Sequence, residues 1–274
     1  MSLAPVDYDF GVPANYAFAE TITCSNDEAR KMYVEAFGHM LNYNHEQAIA
    51  CFTKCAELDE NCAMAWWGIA YCLSSSYNWS AGLGPGYDAI SQAVALKDHC
   101  SELEQDLIMA LSKRHTKEAR DNANPAALNM GNSPELNQAF ADAMAPLYEK
   151  YKGNLDVTAI YVEALMNLNP WTLWNKDAAS GEITPVDDST LMLIKIMEDA
   201  FENVPGAKEH PALCHLYCHA LELSPYPERA LPAADVLRTL MPGCGHLVHM
   251  PSHIDAWVGP VSYTHLTLPT SKIV

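Results

Sequence analysis

The residues whose types and spacing point most clearly to chemistry are histidines in the segment 210–257. This segment holds six of the eleven histidines of the chain. His215 and His219 lie four positions apart, as do His249 and His253, and the second pair follows the first by thirty-four positions. A four-residue step places two side chains on one face of a helix. Because histidine is a common ligand of transition metals, one hypothesis is that these four residues bind a metal.

Two such pairs on neighbouring helices could close a site of four ring nitrogens, because packed helices lie about 8–10 Å apart. The metal would be zinc, copper or iron, and the protein could then be a metal-dependent oxidoreductase. Metal-ligating histidines usually donate their second ring nitrogen to an acceptor, and only Glu222 and Asp255 lie near in sequence. The zinc-protease pattern His-Glu-x-x-His does not occur, since His45-Glu46 lacks the second histidine.

The histidine spacing has two other interpretations. The rings could stack and hydrogen-bond between adjacent helices with a structural role only, or they could line a groove that binds a peptide, an acidic ligand or a partner protein. No Ser-His-Asp arrangement, nucleophile elbow or paired-carboxylate motif favours an enzyme. We therefore expect recognition of a protein or peptide partner, with no cofactor, and keep the metal protein as the alternative.

Composition narrows the range of partners. A net charge of −18 comes from 34 acidic and 16 basic residues, whereas nucleic acid or an anionic membrane would need clustered lysine and arginine. We expect neither partner, no secretory leader and no membrane span, since no run of eighteen apolar residues occurs. Nine cysteines without a Cys-x-x-Cys motif are typical of small buried side chains in a reducing compartment, so we expect a cytoplasmic protein.

Apolar periodicity predicts helices along most of the chain after an irregular lead-in over residues 1–25. Ser101 with Glu104 forms a capping box, Ser133 precedes a proline at a helix start, and Asp187 begins a later helix. The helices are expected over 26–42, 45–58, 62–73, 87–98, 101–115, 133–151, 156–168 and 187–203. Antiparallel helix pairs joined by short turns are the architecture that this pattern predicts.

The segment AFGHMLNYNHEQAIACFTKCAELDENCAMAWWGIAY, residues 36–71, resembles a tetratricopeptide repeat running into the next unit. Ala48 matches the small residue of the pattern, Phe52 the aromatic one, and Cys55 the second small one. Glu60 departs from the family, which usually has proline there. The resemblance implies an all-α, right-handed α-solenoid of helix hairpins with irregular insertions, spanning residues 26–260.

The histidine segment fits the same repeat frame and is also similar to bacterial tetratricopeptide proteins of unassigned activity. First-helix positions of this family usually line a concave groove that receives a partner. The resemblance therefore implies a groove lined by aromatic and histidine side chains, namely Trp67, Tyr71, His215, His219, His246, His249 and His253. Pro251 is a departure, because a proline inside a helix kinks it or resets its start and could turn His249 away.

Two further segments interrupt the helical pattern. Residues 170–186 form a polar insertion with Trp171 and Trp174, which either pack it onto the helices or cover a ligand groove. Residues 261–270, VSYTHLTLPT, resemble a translated sequencing adapter. We therefore expect 261–274 to be a non-native tail, and the repeat domain to be truncated near Pro260.

Overall fold

The computed structural model describes residues 21–41, 43–78, 85–122 and 133–259. Within these ranges the chain is mostly helical, which confirms the all-α class predicted from the sequence. The predicted tail over 261–274 and most of the predicted lead-in over 1–25 lie outside the described residues. The α-helices are α1 (Asp27–Leu41), α2 (His45–Leu58), α3 (Ala63–Cys72), α4 (Pro85–Leu96), α5 (Glu102–Leu111), α6 (Lys117–Asp121), α7 (Pro134–Lys150), α8 (Leu155–Met166), α9 (Asp188–Asn203), α10 (Pro211–Leu221), α11 (Leu231–Leu240), α12 (Gly245–His249) and α13 (Pro251–Val258).

Local capping residues begin several of these helices where the sequence predicts them. The Glu104 amide donates a hydrogen bond to the Ser101 hydroxyl, and the Glu104 carboxylate accepts from the Ser101 amide at 2.8 Å, which completes the capping box of α5. Ser133 caps α7 immediately before Pro134. Asp187 caps α9 by accepting from a backbone amide. Each cap satisfies helix N–H groups that would otherwise lack an intrahelical partner.

Most helices pack against their neighbours in the chain, as α1 does with α2, α2 with α3, α3 with α4, α8 with α7 and α9, and α10 with α11. The core between them is apolar and includes the fully buried rings of Tyr33 and Phe52, whose centroids lie 5.3 Å apart. None of the described helices is long and apolar enough to cross a membrane.

Gly68 on α3 lies against the ring of Phe52 on α2. A Cβ atom at position 68 would approach Phe52 Cζ to 2.5 Å. We expect Gly68→Ala to lower the free energy of unfolding by roughly 1–2 kcal/mol, because the buried ring must shift within a close-packed core. Urea denaturation followed by circular dichroism measures the change. Gly245→Ala is the matched control, since its new Cβ would meet no heavy atom within 4 Å; equal losses in both variants would contradict the prediction.

The polar insertion over 170–186 differs from the irregular segment expected there, because it contains a β-hairpin. Strands β1 (Trp174–Lys176) and β2 (Ile183–Pro185) pair antiparallel, with Asn175 opposite Thr184. The Trp174 indole N–H donates to the Ala220 carbonyl of α10 at 2.7 Å. This bond ties the hairpin to the helix that carries the first histidine pair.

Candidate metal centre

Helix α10 positions the first histidine pair as the sequence predicts. Pro211 occupies its first turn, and the His210 side chain accepts a hydrogen bond from the Leu213 amide to cap it. His215 and His219 therefore lie on one face, with ring centroids 4.7 Å apart. Both are buried, at 1% and 2% exposure. Their contacts are with other side chains of the protein rather than with an open groove.

The second pair, His249 and His253, lies on two consecutive helices and not on one. His249 is the last residue of α12, whereas His253 belongs to α13, which begins at Pro251. Of the two effects expected of Pro251, the structure has the reset of the helix start, so the two residues lie on consecutive helices. Pro251 does not turn His249 away, however, since the Nε2 atoms of His249 and His253 lie 3.1 Å apart.

His246, from the first turn of α12, completes a set of three ring nitrogens. Its Nε2 atom lies 3.1 Å from that of His215, and ligand atoms of His215, His219 and His246 all lie within 4.8 Å of one another. The Asn78 side-chain amide lies 3.0 Å from His219 Nε2 and 3.1 Å from His246 Nε2. From its position in the sequence, His246 is expected to line the groove and is not among the predicted metal ligands.

We call His215, His219, His246, His249 and His253 the histidine cluster. One half of the cluster is His215, His219 and His246, and the other is His249 and His253. The two halves are in contact, since the ring centroids of His219 and His253 are 5.4 Å apart. The predicted metal ligands are thus brought together, with His246 as an added member.

Glu222, one residue beyond α10, connects the two halves through hydrogen bonds. Its two carboxylate oxygens accept from Nδ1 of His219 at 2.7 Å and from Nδ1 of His253 at 2.6 Å. Both rings then carry the proton on Nδ1, so Nε2 is the acceptor nitrogen of each ring. His219 Nε2 contacts the Asn78 amide and His253 Nε2 contacts His249 Nε2, and a metal ion would replace these contacts. Asp255, the other acceptor considered from sequence, instead pairs with Arg238 at 2.8 Å.

Burial controls the protonation of the cluster. It lowers the pKa of His215 well below its ordinary value, and the neighbouring imidazoles lower it further. The pKa of His246 falls to about 3 for the same two reasons. Burial alone would raise the pKa of Glu222, but its hydrogen bonds from His219 and His253 lower it to about 2. Neutral imidazoles beside an ionised carboxylate are the protonation states that metal binding requires.

Two aromatic residues with left-handed backbone conformations flank the cluster. Tyr43 has φ 56° and Trp171 has φ 61°, values that are unfavourable for bulky side chains. The Tyr43 ring lies 5.0 Å from that of His215 and 5.1 Å from that of His246. The Trp171 ring lies 5.5 Å from that of His219 and is 50% exposed. Trp171 thus covers the solvent side of the cluster, while Trp174 packs the insertion onto α10.

A small cavity of about 40 Å³ adjoins His215. Tyr43, Tyr71 and Glu163 line it, and both tyrosine hydroxyls donate to the Glu163 carboxylate, that of Tyr43 at 3.0 Å. A cavity of this size holds between one and about three water molecules. Apolar side chains such as Phe37, Met40 and Ile160 form much of the remaining lining.

The two aromatic residues predicted for the groove have different surroundings. Tyr71 lines the cavity. Trp67 is 1% exposed, stacks on Tyr71 at 5.1 Å, and donates its indole N–H to the Leu107 carbonyl at 3.3 Å. Trp67 is therefore a core residue behind the cavity wall, and it is not placed to line an open groove.

Comparisons with known proteins do not assign this chain to a family. No family model matches the chain, and neither a curated protein nor a solved structure matches it.

Proposed function

We propose that this protein binds a transition-metal ion through His215, His219 and His246. The observation that carries the proposal is the convergence of three neutral imidazoles from two helices, with their ligand atoms within 4.8 Å of one another. Zinc–nitrogen bonds of about 2.05 Å in a tetrahedron separate ligand nitrogens by roughly 3.3 Å. The 3.1 Å between Nε2 of His215 and Nε2 of His246 is close to that separation.

Glu222 supports the assignment because it supplies the carboxylate that metal-ligating histidines usually contact. Through His253 the same carboxylate also orients the second half of the cluster. His249 and His253 thus lie beside the proposed centre, with their Nε2 atoms 3.1 Å apart. Imidazole ligands of this kind suit zinc, copper and iron.

Three protein ligands leave a coordination position open for a small molecule, as in catalytic metal sites. The cavity of about 40 Å³ adjoins His215, whereas its lining does not include His219 or His246. An ion held by the three histidines would supply a Lewis acid for a small molecule at the open position, which is the metal-dependent enzyme considered from the sequence. The burial of His215 and His219 favours this function over direct contact with a peptide.

We further propose that the helix pairs form a right-handed α-solenoid of tetratricopeptide type. The packing of consecutive helices supports this arrangement, as does the close approach of Gly68 to Phe52 within the segment that resembles the repeat. In such a stack, neighbouring units present equivalent side chains to one surface. The arrangement explains how histidines thirty-four positions apart become members of one cluster.

Metal analysis of the purified full chain tests the proposed centre. After incubation with Zn²⁺ or Cu²⁺ and removal of excess ion, we expect elemental analysis to find at least one more ion per chain in the native protein than in the His215→Ala/His246→Ala variant. The Cu²⁺ form of the native chain should show nitrogen couplings from imidazole in its electron paramagnetic resonance spectrum, and that variant should lose them.

His115→Gln is the matched control, because His115 is a buried histidine outside the cluster, and this variant should keep its metal. Circular dichroism establishes that each variant is folded, and the single His246→Ala variant replaces the double one if that one unfolds. Substoichiometric metal in the native chain, or unchanged metal in the cluster variants, would reject the proposal.

A further inference from the structure

We propose a second metal site, formed by sulfur ligands, in which Cys24, Cys55 and Cys62 bind a zinc ion with a water oxygen as the fourth ligand. This site lies in the first part of the chain and does not depend on the histidine cluster. Thiolate ligands select zinc or monovalent copper over harder ions. Three thiolates and one oxygen ligand complete the four-coordinate shell that zinc adopts in structural sites.

The fold brings the three cysteines together from separate elements. Cys55 lies in the last turn of α2, Cys62 is the N-cap residue of α3, and Cys24 precedes α1. Two hydrogen bonds to Asp59 hold these elements together. The Ser25 amide donates to Asp59 Oδ2 at 2.6 Å, and the Cys62 amide donates to the Asp59 carbonyl at 3.0 Å. The turn between α2 and α3 is therefore held against the segment that carries Cys24.

The distances between the sulfur atoms fit a tetrahedral ion. Zinc–sulfur bonds of about 2.3 Å place the ligand sulfurs of a tetrahedron roughly 3.8 Å apart. Cys55 Sγ and Cys62 Sγ lie 3.8 Å apart, and the three Sγ atoms all lie within 4.8 Å of one another. Cys24 then needs a shift of at most about 1 Å, whereas a Cys55–Cys62 disulfide requires an approach to about 2.05 Å.

Hydrogen bonds hold the sulfurs and the segments that carry them. The Cys55 thiol donates to Cys62 sulfur at 3.8 Å, and the Cys24 thiol donates to the Asn26 carbonyl at 3.5 Å. The Asp59 carboxylate accepts from the Ser25 amide at 2.6 Å and from the Asn61 amide at 3.1 Å. Asp59 therefore fixes the two backbone segments between which the sulfurs meet.

Loading of this site is a proton exchange and needs no oxidant. Zn²⁺ forms three bonds to sulfur and one to oxygen, and the protons of the three thiols are released to solvent. Cys24 is half-buried, so the ion can reach the site from solvent without unfolding of the core. The bound ion would join the α2–α3 turn to the segment before α1, and so stabilise the first helix hairpin.

Substitution of Co²⁺ for Zn²⁺ in the reduced full chain tests the site. We expect a near-ultraviolet charge-transfer band, which arises only from thiolate bound to cobalt, and intense visible bands typical of a tetrahedral ion. Added Zn²⁺ should abolish both. In the Cys24→Ser/Cys62→Ser variant the charge-transfer band should be lost, while the His215→Ala/His246→Ala variant should keep it, which separates this site from the histidine centre.

Cys72→Ala is the matched control, because Cys72 is a buried cysteine outside the group of three, and it should leave the band unchanged. The single Cys24→Ser variant serves if the double variant does not fold, since Cys24 is the least buried of the three sulfur ligands. A cobalt spectrum without a thiolate band, or a band of native intensity in the Cys24→Ser variants, would overturn the proposal. So would a Cys55–Cys62 disulfide found by mass spectrometry of protein prepared under reducing conditions.

Discussion

Replacing Glu222 with alanine is expected to weaken Zn²⁺ binding at the histidine cluster by roughly 10- to 100-fold. The substitution removes the acceptor of both the His219 and the His253 Nδ1–H groups. Without it the two rings lose the hydrogen bonds that fix their orientation and tautomer, so Nε2 is no longer held in a binding position. Competition between the protein and a calibrated chelator measures the change in affinity.

Two companion variants separate this effect from a general loss of structure. Glu222→Gln replaces one of the two carboxylate oxygens with an NH₂ donor, so one of the two imidazole N–H groups faces a donor and loses its acceptor. We expect an affinity between those of the alanine variant and the native chain. Glu228→Ala removes a nearby exposed carboxylate and should bind Zn²⁺ as the native chain does. Native affinity in a folded Glu222→Ala variant would show that the carboxylate does not orient the ligands.

The parts of this centre that the sequence predicts are those fixed by local geometry. His215 and His219 share a helix face because a step of four residues closes about one helical turn, and the first-turn Pro211 marks where that helix begins. Capping residues such as Ser101 likewise act within a few positions of themselves. Spacing along the chain is enough to predict such features.

Other members of the centre depend on contacts between distant segments. Asn78 reaches His246 across 168 positions, and Tyr43 contacts rings of α10 and α12. The identity of an asparagine or a tyrosine says little about which helix will face it. The left-handed backbone conformation of Tyr43 and Trp171 cannot be predicted from the sequence either, because tertiary contacts impose a conformation that these residues disfavour on their own.

Trp67 illustrates the opposite error, in which a family pattern predicts a surface residue that burial excludes. Its repeat position resembles one that lines a groove, yet its indole lies in the core and donates to the Leu107 carbonyl. Large aromatic side chains bury much apolar area, and a buried indole usually finds a hydrogen-bond acceptor. Which face of α3 is buried depends on the helices that pack against it. Here α5 packs against the face that carries Trp67, and it supplies the Leu107 carbonyl as the hydrogen-bond acceptor.

Lowering the pH from 7.5 to 5 is expected to destabilise the chelator-treated protein, in part through His115. This residue is buried, and burial together with the charge of Arg114 lowers its pKa from 6.5 to about 4. The unfolded chain therefore binds a proton between pH 6.5 and 4 that the folded chain does not, so stability falls as pH falls through that window. The single-site contribution at pH 5 is roughly 2 kcal/mol.

His115→Gln isolates this contribution. The variant loses the hydrogen bond between the imidazole and the Ser74 hydroxyl, which lie 2.7 Å apart, so it should be less stable at pH 7.5. Its further loss on acidification should nevertheless be smaller than that of the native chain by roughly 2 kcal/mol in urea denaturation. His99→Gln, at an exposed histidine, is the control for replacing a histidine with glutamine. If His115→Gln and the native chain lost equal stability between pH 7.5 and 5, His115 would already be free to protonate in the folded protein, and its burial could not contribute to acid sensitivity.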